Sequence, residues 1–198
     1  MVGDIRGMWP LNGNNTASDF EDVSVKANNL TGTNITSADA VSGVRGEAYD
    51  FDGSTEYLSC TDAACGGTSD LDMGTSDFSV GAWIKTSATG VTQHIIRKGT
   101  FSAMPSYQLV IDIAGNSKFQ TNDGSTNCSS IGNILVNDGE WHHIMGIADR
   151  SYSCSLYVDG ILDVQTSATY TASMDSTDNF VIGGWTSTAT FNGTNDEP

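Results

Sequence analysis

The feature that most constrains this fold is an Asp-Gly pair set between two stretches of alternating apolar and polar residues. Asp159-Gly160 follows residues 154–158 and precedes Ile161. Tight two-residue turns need positive φ values, which Asp and Gly adopt readily, so the pair predicts a β-hairpin. Such a turn fixes the strand register, with Val158 opposite Ile161.

The segment just before this hairpin predicts a long strand. Trp141–Asp149 is rich in aromatic and aliphatic residues, and it is bounded by Asp138-Gly139 on one side and Arg150-Ser151 on the other. Turn-forming residues at both ends of such a run are typical of a strand. Together with the hairpin, the run predicts three consecutive antiparallel strands.

The rest of the chain predicts further short strands and no helix. Apolar residues do not recur at helical spacing over three turns, whereas Gly, Asn and Asp punctuate short β-type runs. The predicted strands include an opening strand at 7–11 and two strands, 48–51 and 57–60, that pair as a hairpin around 52–55. Further strands are predicted at 29–35, 78–85, 93–98, 107–112, 118–121, 128–131, 163–167 and 180–183. This pattern predicts an all-β antiparallel sandwich in a single domain spanning residues 1–198.

Charge and hydropathy exclude two classes of partner. The chain carries 8 basic and 24 acidic residues, a net charge of −16, which argues against nucleic-acid binding because phosphate recognition needs a basic surface. No apolar run reaches the eighteen residues that a transmembrane helix needs, so no membrane insertion is expected. Residues 1–6 lack a leader pattern, so a secretory signal is absent, removed or supplied by a longer parent.

The acidic and histidine residues do not form a recognisable catalytic pattern. Retaining glycan hydrolysis needs two carboxylates about 5 Å apart, which alternate positions on one strand would supply. No such run occurs, since Glu21 and Asp22 are adjacent and therefore point apart in an extended chain. His142 and His143 are adjacent in the same way. The sequence therefore predicts that the chain is not an enzyme.

The four cysteines predict two disulfides. Cys60 and Cys65 enclose a short loop, while Cys128 and Cys154 each lie at the edge of a predicted strand. Neither pair has the Cys-x-x-Cys spacing of a zinc site. We expect the pairs 60–65 and 128–154; the alternative is four free thiols in a reducing compartment.

Several motifs in order resemble the laminin-G-like family of concanavalin A-like lectin/glucanase jelly rolls. They are the segments Met8–Gly13, Gly46–Gly53, Phe78–Lys85, Gly139–His143, Leu156–Gly160 and Phe180–Gly184. The resemblance implies a jelly roll of two curved sheets. It also implies that the last strand, opening near Phe191, is cut at its beginning, so that a parent polypeptide or another chain would complete the edge.

The resemblance further implies a structural calcium ion. The matching positions are Asp19, the carbonyl of Gly46 and Asp196, which are oxygen donors of the type that Ca²⁺ prefers. The alternative is that Asp19 is a turn residue and Asp196 a terminal acid without a ligand.

Two tryptophans are candidate ligand-binding residues. Trp83 lies on the strand face opposite Phe78 and Val80, and Trp185 follows Gly183-Gly184 at an expected loop. Exposed aromatic rings are typical platforms for sugars. The alternative is that both rings belong to the sandwich core, which is where Trp9 and Trp141 are expected.

The sequence thus predicts a non-catalytic recognition module that binds a glycan or a partner protein, with calcium as structural support. We expect an extracellular, cell-surface or virion-surface location. The alternative is a structural component that self-assembles in a surface layer, filament or virion; a glycan-active enzyme is a further, weaker alternative.

Overall fold

The structure, a computed structural model, describes residues 4–11, 20–65, 70–99, 105–185 and 191–198. As predicted, two antiparallel sheets of seven strands each form a sandwich. In spatial order the first sheet contains β1 (Thr31–Thr33), β4 (Tyr57–Cys60), β13 (Phe180–Ile182), β6 (Gln93–Lys98), β7 (Ser106–Ile111), β8 (Asn116–Asn122) and β9 (Asn127–Leu135). The second contains β12 (Ile161–Ser167), β11 (Ser153–Val158), β10 (Trp141–Asp149), β5 (Phe78–Lys85), β14 (Asn192–Asp196), β3 (Glu47–Asp52) and β2 (Ala40–Ser42). A single 3-10 turn, Ser37–Asp39, is the helical part of the described chain.

The predicted central block is confirmed. Strands β10, β11 and β12 are consecutive and antiparallel, and Val158 pairs with Ile161 across the turn. Asp159 and Gly160 have φ values of 52° and 78°, as a tight hairpin turn requires. The inward face of β11 buries Leu156 and Val158, while Tyr157 on the other face is half-buried.

The core lies between the two sheets and is closely packed. Phe119 of β8 packs against the backbone of Gly146 in β10, and a Cβ at position 146 would overlap its ring. The Phe78 ring lies 5.3 Å from the Tyr107 ring, which also joins the sheets. These contacts fix the spacing of the two layers, since close-packed interiors tolerate little change in volume.

The predicted hairpin of segments 48–51 and 57–60 is wrong. Both strands form, but β3 belongs to the second sheet and β4 to the first. The Asp52 carboxylate accepts hydrogen bonds from the backbone N–H groups of Ser54 and Thr55, at 2.7 and 2.8 Å. This side-chain turn leads the chain from one layer to the other without a hairpin.

The predicted strand at 7–11 is also wrong. The segment runs extended without forming a regular ladder. The Met8 N–H donates to the Asp22 carboxylate, and the Trp9 indole N–H donates to the Asn28 carbonyl. Two isolated backbone hydrogen bonds, from the Trp9 N–H to the Pro198 carbonyl and from the Val23 N–H to the Met8 carbonyl, also hold it. Trp9 is buried, as expected, and stacks on Phe180 with ring centroids 5.1 Å apart. Trp141, also expected in the core, is half-buried on the outer face of β10.

Both predicted disulfides are present. Cys60 and Cys65 close the short loop after β4. Cys128 of β9 and Cys154 of β11 join the first sheet to the second. The second disulfide is therefore a covalent link between the two layers, close to the polar contact between Ser130 and Thr166.

The last strand lies inside a sheet, not at its edge. Strand β14 pairs with β3 on one side and with Trp83, Ile84 and Lys85 of β5 on the other. Within the described residues, the remainder of β5 has a strand partner only in β10. That a parent polypeptide or another chain completes the edge beside the last strand stays a prediction.

No helix in these described ranges is long and apolar enough to span a membrane.

Candidate functional site

Trp185 lies on the outer face of the first sheet, just after β13. Gly183 has a φ of +82°, a conformation that favours glycine, and its N–H donates to the Ile95 carbonyl at 2.9 Å. A side chain at position 183 would overlap the Phe51 ring. The turn thus brings Trp185 out of the core, and the indole remains 38% exposed.

The neighbouring strand β6 presents two basic side chains to this indole. The register shifts between His94 and Ile96, so Ile95 and Ile96 both belong to the core. His94 and Arg97 lie on the outer face of the sheet, where they are buried against Trp185. The Arg97 guanidinium carbon lies 3.7 Å from the centroid of the Trp185 ring. The His94 ring meets the indole edge-on at 5.9 Å. A cation stacked on an indole is stabilised by the quadrupole of the ring.

Burial changes the proton affinity of both basic groups. Arg97 is only 4% exposed, and this burial lowers its pKa, an effect that the charge of Asp178 partly opposes. Burial, with the nearby charges of Arg97 and Lys118, lowers the pKa of His94 to about 4. At neutral pH the site therefore contains a charged guanidinium and a neutral imidazole.

A cleft of about 240 Å³ opens beside the indole. Its lining residues are Arg97, Gly99, Thr177, Asp178, Asn179, Val181 and Trp185, a set we call the Trp185 cleft. The cleft therefore combines one aromatic ring with charged, hydroxyl and amide groups. This lining is more polar than that of most small-molecule pockets, and it places hydrogen-bonding groups beside one aromatic ring.

The wall of the Trp185 cleft is fixed from beneath by a buried ammonium group. Lys98 Nζ contacts the carboxylates of Asp62 and Asp72 at 2.8 and 2.9 Å. It also donates to the backbone carbonyls of Ser176 and Asp178, at 2.6 and 2.9 Å. One side chain thus joins the first disulfide loop to the segment that lines the cleft.

Trp83 lies on the opposite side of the molecule. It is half-buried on the outer face of the second sheet, beside His143, with ring centroids 5.2 Å apart. The two predicted ligand-binding tryptophans are therefore on different faces of the sandwich, and a single small ligand would contact only one of them.

Two of the three predicted calcium ligands lie in the described part of the chain, while Asp19 lies outside it. The Gly46 carbonyl accepts a hydrogen bond from the Gly43 N–H at 3.1 Å. Asp196 is fully buried: its Oδ2 accepts from the N–H groups of Val44 and Arg45, while Oδ1 has no hydrogen-bond partner. Burial raises the pKa of this carboxyl group. Among the described residues, no three His, Cys, Asp or Glu side chains converge to hold a metal ion.

A larger cavity, of about 600 Å³, opens between the N-terminal segment and β5. Its lining includes Trp9, Phe78, Val80, Tyr107 and Phe180, and it contains none of the predicted ligand or metal residues. Because these side chains belong to the core or pack against it, the cavity is a gap at the margin of the core.

Of the seven residues that line the Trp185 cleft, only Trp185 was identified from the sequence. Arg97 lies 88 residues before Trp185 in the chain, whereas Asp178 lies 7 residues before it. Alternation along β6 was the available signal, but the bulge at Ile95–Ile96 shifts that alternation by one residue. The stacking of Arg97 on the indole depends on a loop path that no local pattern encodes.

Comparison with known proteins identifies the family. A laminin G-type family model, described as the concanavalin A-like lectin/glucanases superfamily, matches residues 52–198. The chain belongs to this superfamily. A search of curated proteins found no match.

Solved structures with this superfamily fold include several binding domains. The binding domain of Paraclostridial Mosquitocidal Protein 1 is 13% identical, with a TM-score of 0.74, over 98% of this chain and 48% of that one. The present chain thus spans about half the length of that domain. Domain 4 of AbnA, an extracellular arabinanase from Geobacillus stearothermophilus, in complex with arabinotriose, is 14% identical with a TM-score of 0.69, over 97% and 89% of the two chains. Domains LG4-5 of the mouse laminin α1 chain are 19% identical with a TM-score of 0.59, over 79% and 43%. At these identities the likeness concerns the fold.

Proposed function

We propose that this chain is a non-catalytic recognition module that binds a glycan at the Trp185 cleft. The observation that carries the proposal is a partly exposed indole at the mouth of a polar cleft. An aromatic ring packs against the apolar face of a sugar, while neighbouring amide and hydroxyl groups bind its hydroxyls. The arabinanase domain with arabinotriose, which shares this fold, lends support from a relative.

Glycan-array binding followed by calorimetry tests this function. Trp185→Ala should weaken binding of the best array ligand at least about tenfold, because stacking of an aromatic ring contributes on the order of 1 kcal/mol or more. Tyr152→Ala is the matched control, since Tyr152 is another exposed aromatic residue but lies outside the cleft. Loss of binding in Trp83→Ala with Trp185→Ala unaffected would move the site to the other face. Absence of binding to any glycan would contradict the function.

We propose that a calcium ion supports the fold at Asp196, with Asp19 and the Gly46 carbonyl as further ligands. The support is chemical: Asp196 is a buried carboxylate with one oxygen free of hydrogen bonds, and Ca²⁺ prefers carboxylate and carbonyl oxygens. Bound calcium would offset the cost of holding this charge in the interior.

Thermal unfolding with calcium, magnesium or a chelator tests the ion. Calcium should raise the unfolding temperature of the wild type, and Asp196→Asn should abolish that rise. Asn keeps an oxygen to accept from Val44 and Arg45, so the variant is expected to fold. Identical unfolding temperatures with calcium and with chelator would rule the site out.

Self-association is a second candidate, favoured by one surface. Strands β9 and β12 are the neighbouring edges of the two sheets, and they expose the aliphatic residues Ile131, Ile134, Leu135, Ile161 and Leu162. We propose that a second copy of this chain covers this strip, since edge strands that face each other across a two-fold axis bury the same residues on both copies. Sedimentation should show a dimer that Leu135→Lys dissociates; a monomer at high concentration would exclude this contact.

We also propose an extracellular or surface location. Two disulfides support it, because such bonds persist in oxidising compartments. Mass spectrometry of the protein from its native source would show free thiols if the location were reducing.

A further inference from the structure

Arg97 is a buried cation whose hydrogen-bonding capacity is incompletely used. One guanidinium nitrogen, Nη2, donates to the Gly99 carbonyl. The other, Nη1, is shielded from solvent and has no hydrogen-bond partner. Within the described residues, Arg97 forms no ion pair, unlike Lys98, a buried cation that contacts two carboxylates. An unpaired buried donor on a charged group is costly, so a ligand that satisfies it gains affinity.

From this we propose that the Trp185 cleft selects carboxylate-bearing sugars, with the Arg97 guanidinium binding the carboxylate. The inference rests on the proposed glycan-binding function and adds the chemical class of the ligand. A guanidinium presents N–H groups in a plane that matches the two oxygens of a carboxylate. The indole stacked on one face of Arg97 leaves that plane free to bind an anion, while the ring itself contacts the sugar.

The surroundings make this position unusual in an acidic protein. The net charge is −16, yet Arg97 and Lys118 both lie on the outer face of the first sheet. The positive charge of each lowers the pKa of His94. His94 adds no charge at neutral pH. Asp178 is the opposing group, because it lines the same cleft and would repel an anionic ligand. The proposal therefore predicts opposite effects for neutralising Arg97 and neutralising Asp178.

Access to Nη1 requires a small rearrangement. Since this nitrogen is closed to solvent, a carboxylate reaches it only when a side chain lining the cleft moves. Trp185 covers the guanidinium and is the exposed member of the pair. Binding of an acidic sugar should therefore change the fluorescence of Trp185, and the change should be absent in Trp185→Phe.

The experiment compares each acidic sugar with an uncharged counterpart by calorimetry. The pairs are tri-galacturonate with its methyl ester, and 3′-sialyllactose with its methyl ester. At least one acid should bind the wild type at least about tenfold more tightly than its neutral partner, as a charge-assisted hydrogen bond supports. Arg97→Gln should remove this preference, and Asp178→Asn should increase affinity for the acid. Lys85→Gln, which removes one positive charge on the second sheet, is the matched control.

The outcomes separate this inference from the function on which it rests. Equal binding of acid and neutral partner, or a weaker acid affinity in Asp178→Asn, would overturn carboxylate selection while leaving glycan binding intact. Because Asp178→Asn alters the rim of the cleft and not the buried cation, it tests carboxylate selection even if Arg97→Gln fails to fold. Failure of every glycan to bind would overturn the recognition function itself.

Discussion

The disulfide that joins the two sheets should stabilise this protein more than the disulfide within the first loop. Cys128 and Cys154 are 26 residues apart, whereas Cys60 and Cys65 are 5 apart. A cross-link lowers the entropy of the unfolded chain by an amount that grows with the logarithm of the loop, which gives about 3.5 kcal/mol for the longer loop and about 2 kcal/mol for the shorter one. All four cysteines are buried, so the packing lost on replacement is similar.

The perturbation is a pair of double variants, Cys128→Ala/Cys154→Ala and Cys60→Ala/Cys65→Ala. Urea unfolding at neutral pH, followed by tryptophan fluorescence and dichroism, gives the free energy of unfolding of each. The first variant should be less stable than the second by about 1.5 kcal/mol. An equal loss, or a larger loss for the Cys60–Cys65 variant, would refute the reasoning that loop length and the link between sheets decide the effect.

Three other predictions concern the core and the support of the cleft. Burial lowers the pKa of His94 from 6.5 to about 4, so the folded state favours the neutral imidazole. The free energy of unfolding should therefore fall by roughly 3 kcal/mol as the pH drops from 6.5 to 4. Urea titrations from pH 7 to pH 4.5 should show a shallower decline of this free energy in His94→Gln. Lys98→Met leaves the buried Asp72 without its cation, so the free energy of unfolding should fall by about 3–5 kcal/mol; a change below about 1 kcal/mol would show that the network is dispensable. Gly146→Ala pushes a methyl group into the Phe119 ring and should cost about 1–3 kcal/mol, measured by thermal unfolding; unchanged stability would mean that the sheets can separate locally.

The strands of this fold could be predicted from sequence where local patterns decide the structure. Asp159-Gly160 sets a turn by its own backbone preferences, so register and strand order around it are correct. The link between 48–51 and 57–60 could not be predicted, because the same residues suit a hairpin or a crossing between sheets. Hydrogen bonds from Ser54 and Thr55 to Asp52 accompany the crossing, and its direction depends on what the two strands pack against.

The candidate site was less accessible to prediction than the fold. Trp185 could be selected because a glycine pair after a strand indicates a turn to the surface. Its partner Arg97 depends on a bulge in β6 and on a contact between segments far apart in the chain. Trp83 satisfied the same exposure criterion as Trp185, yet it lies on the other sheet, since alternation along a strand gives the face of a sheet but not the neighbours across the molecule.

A glycan bound to this protein should contact Trp185 in preference to the other tryptophans. Nuclear magnetic resonance resolves the indole N–H signals of the 4 tryptophans separately, so titration with the best array ligand reports which ring meets the sugar. The Trp185 signal should shift with ligand while those of the buried Trp9 and the distant Trp83 stay in place. A shift confined to Trp83 or Trp141, with Trp185 unchanged, would contradict binding at the Trp185 cleft.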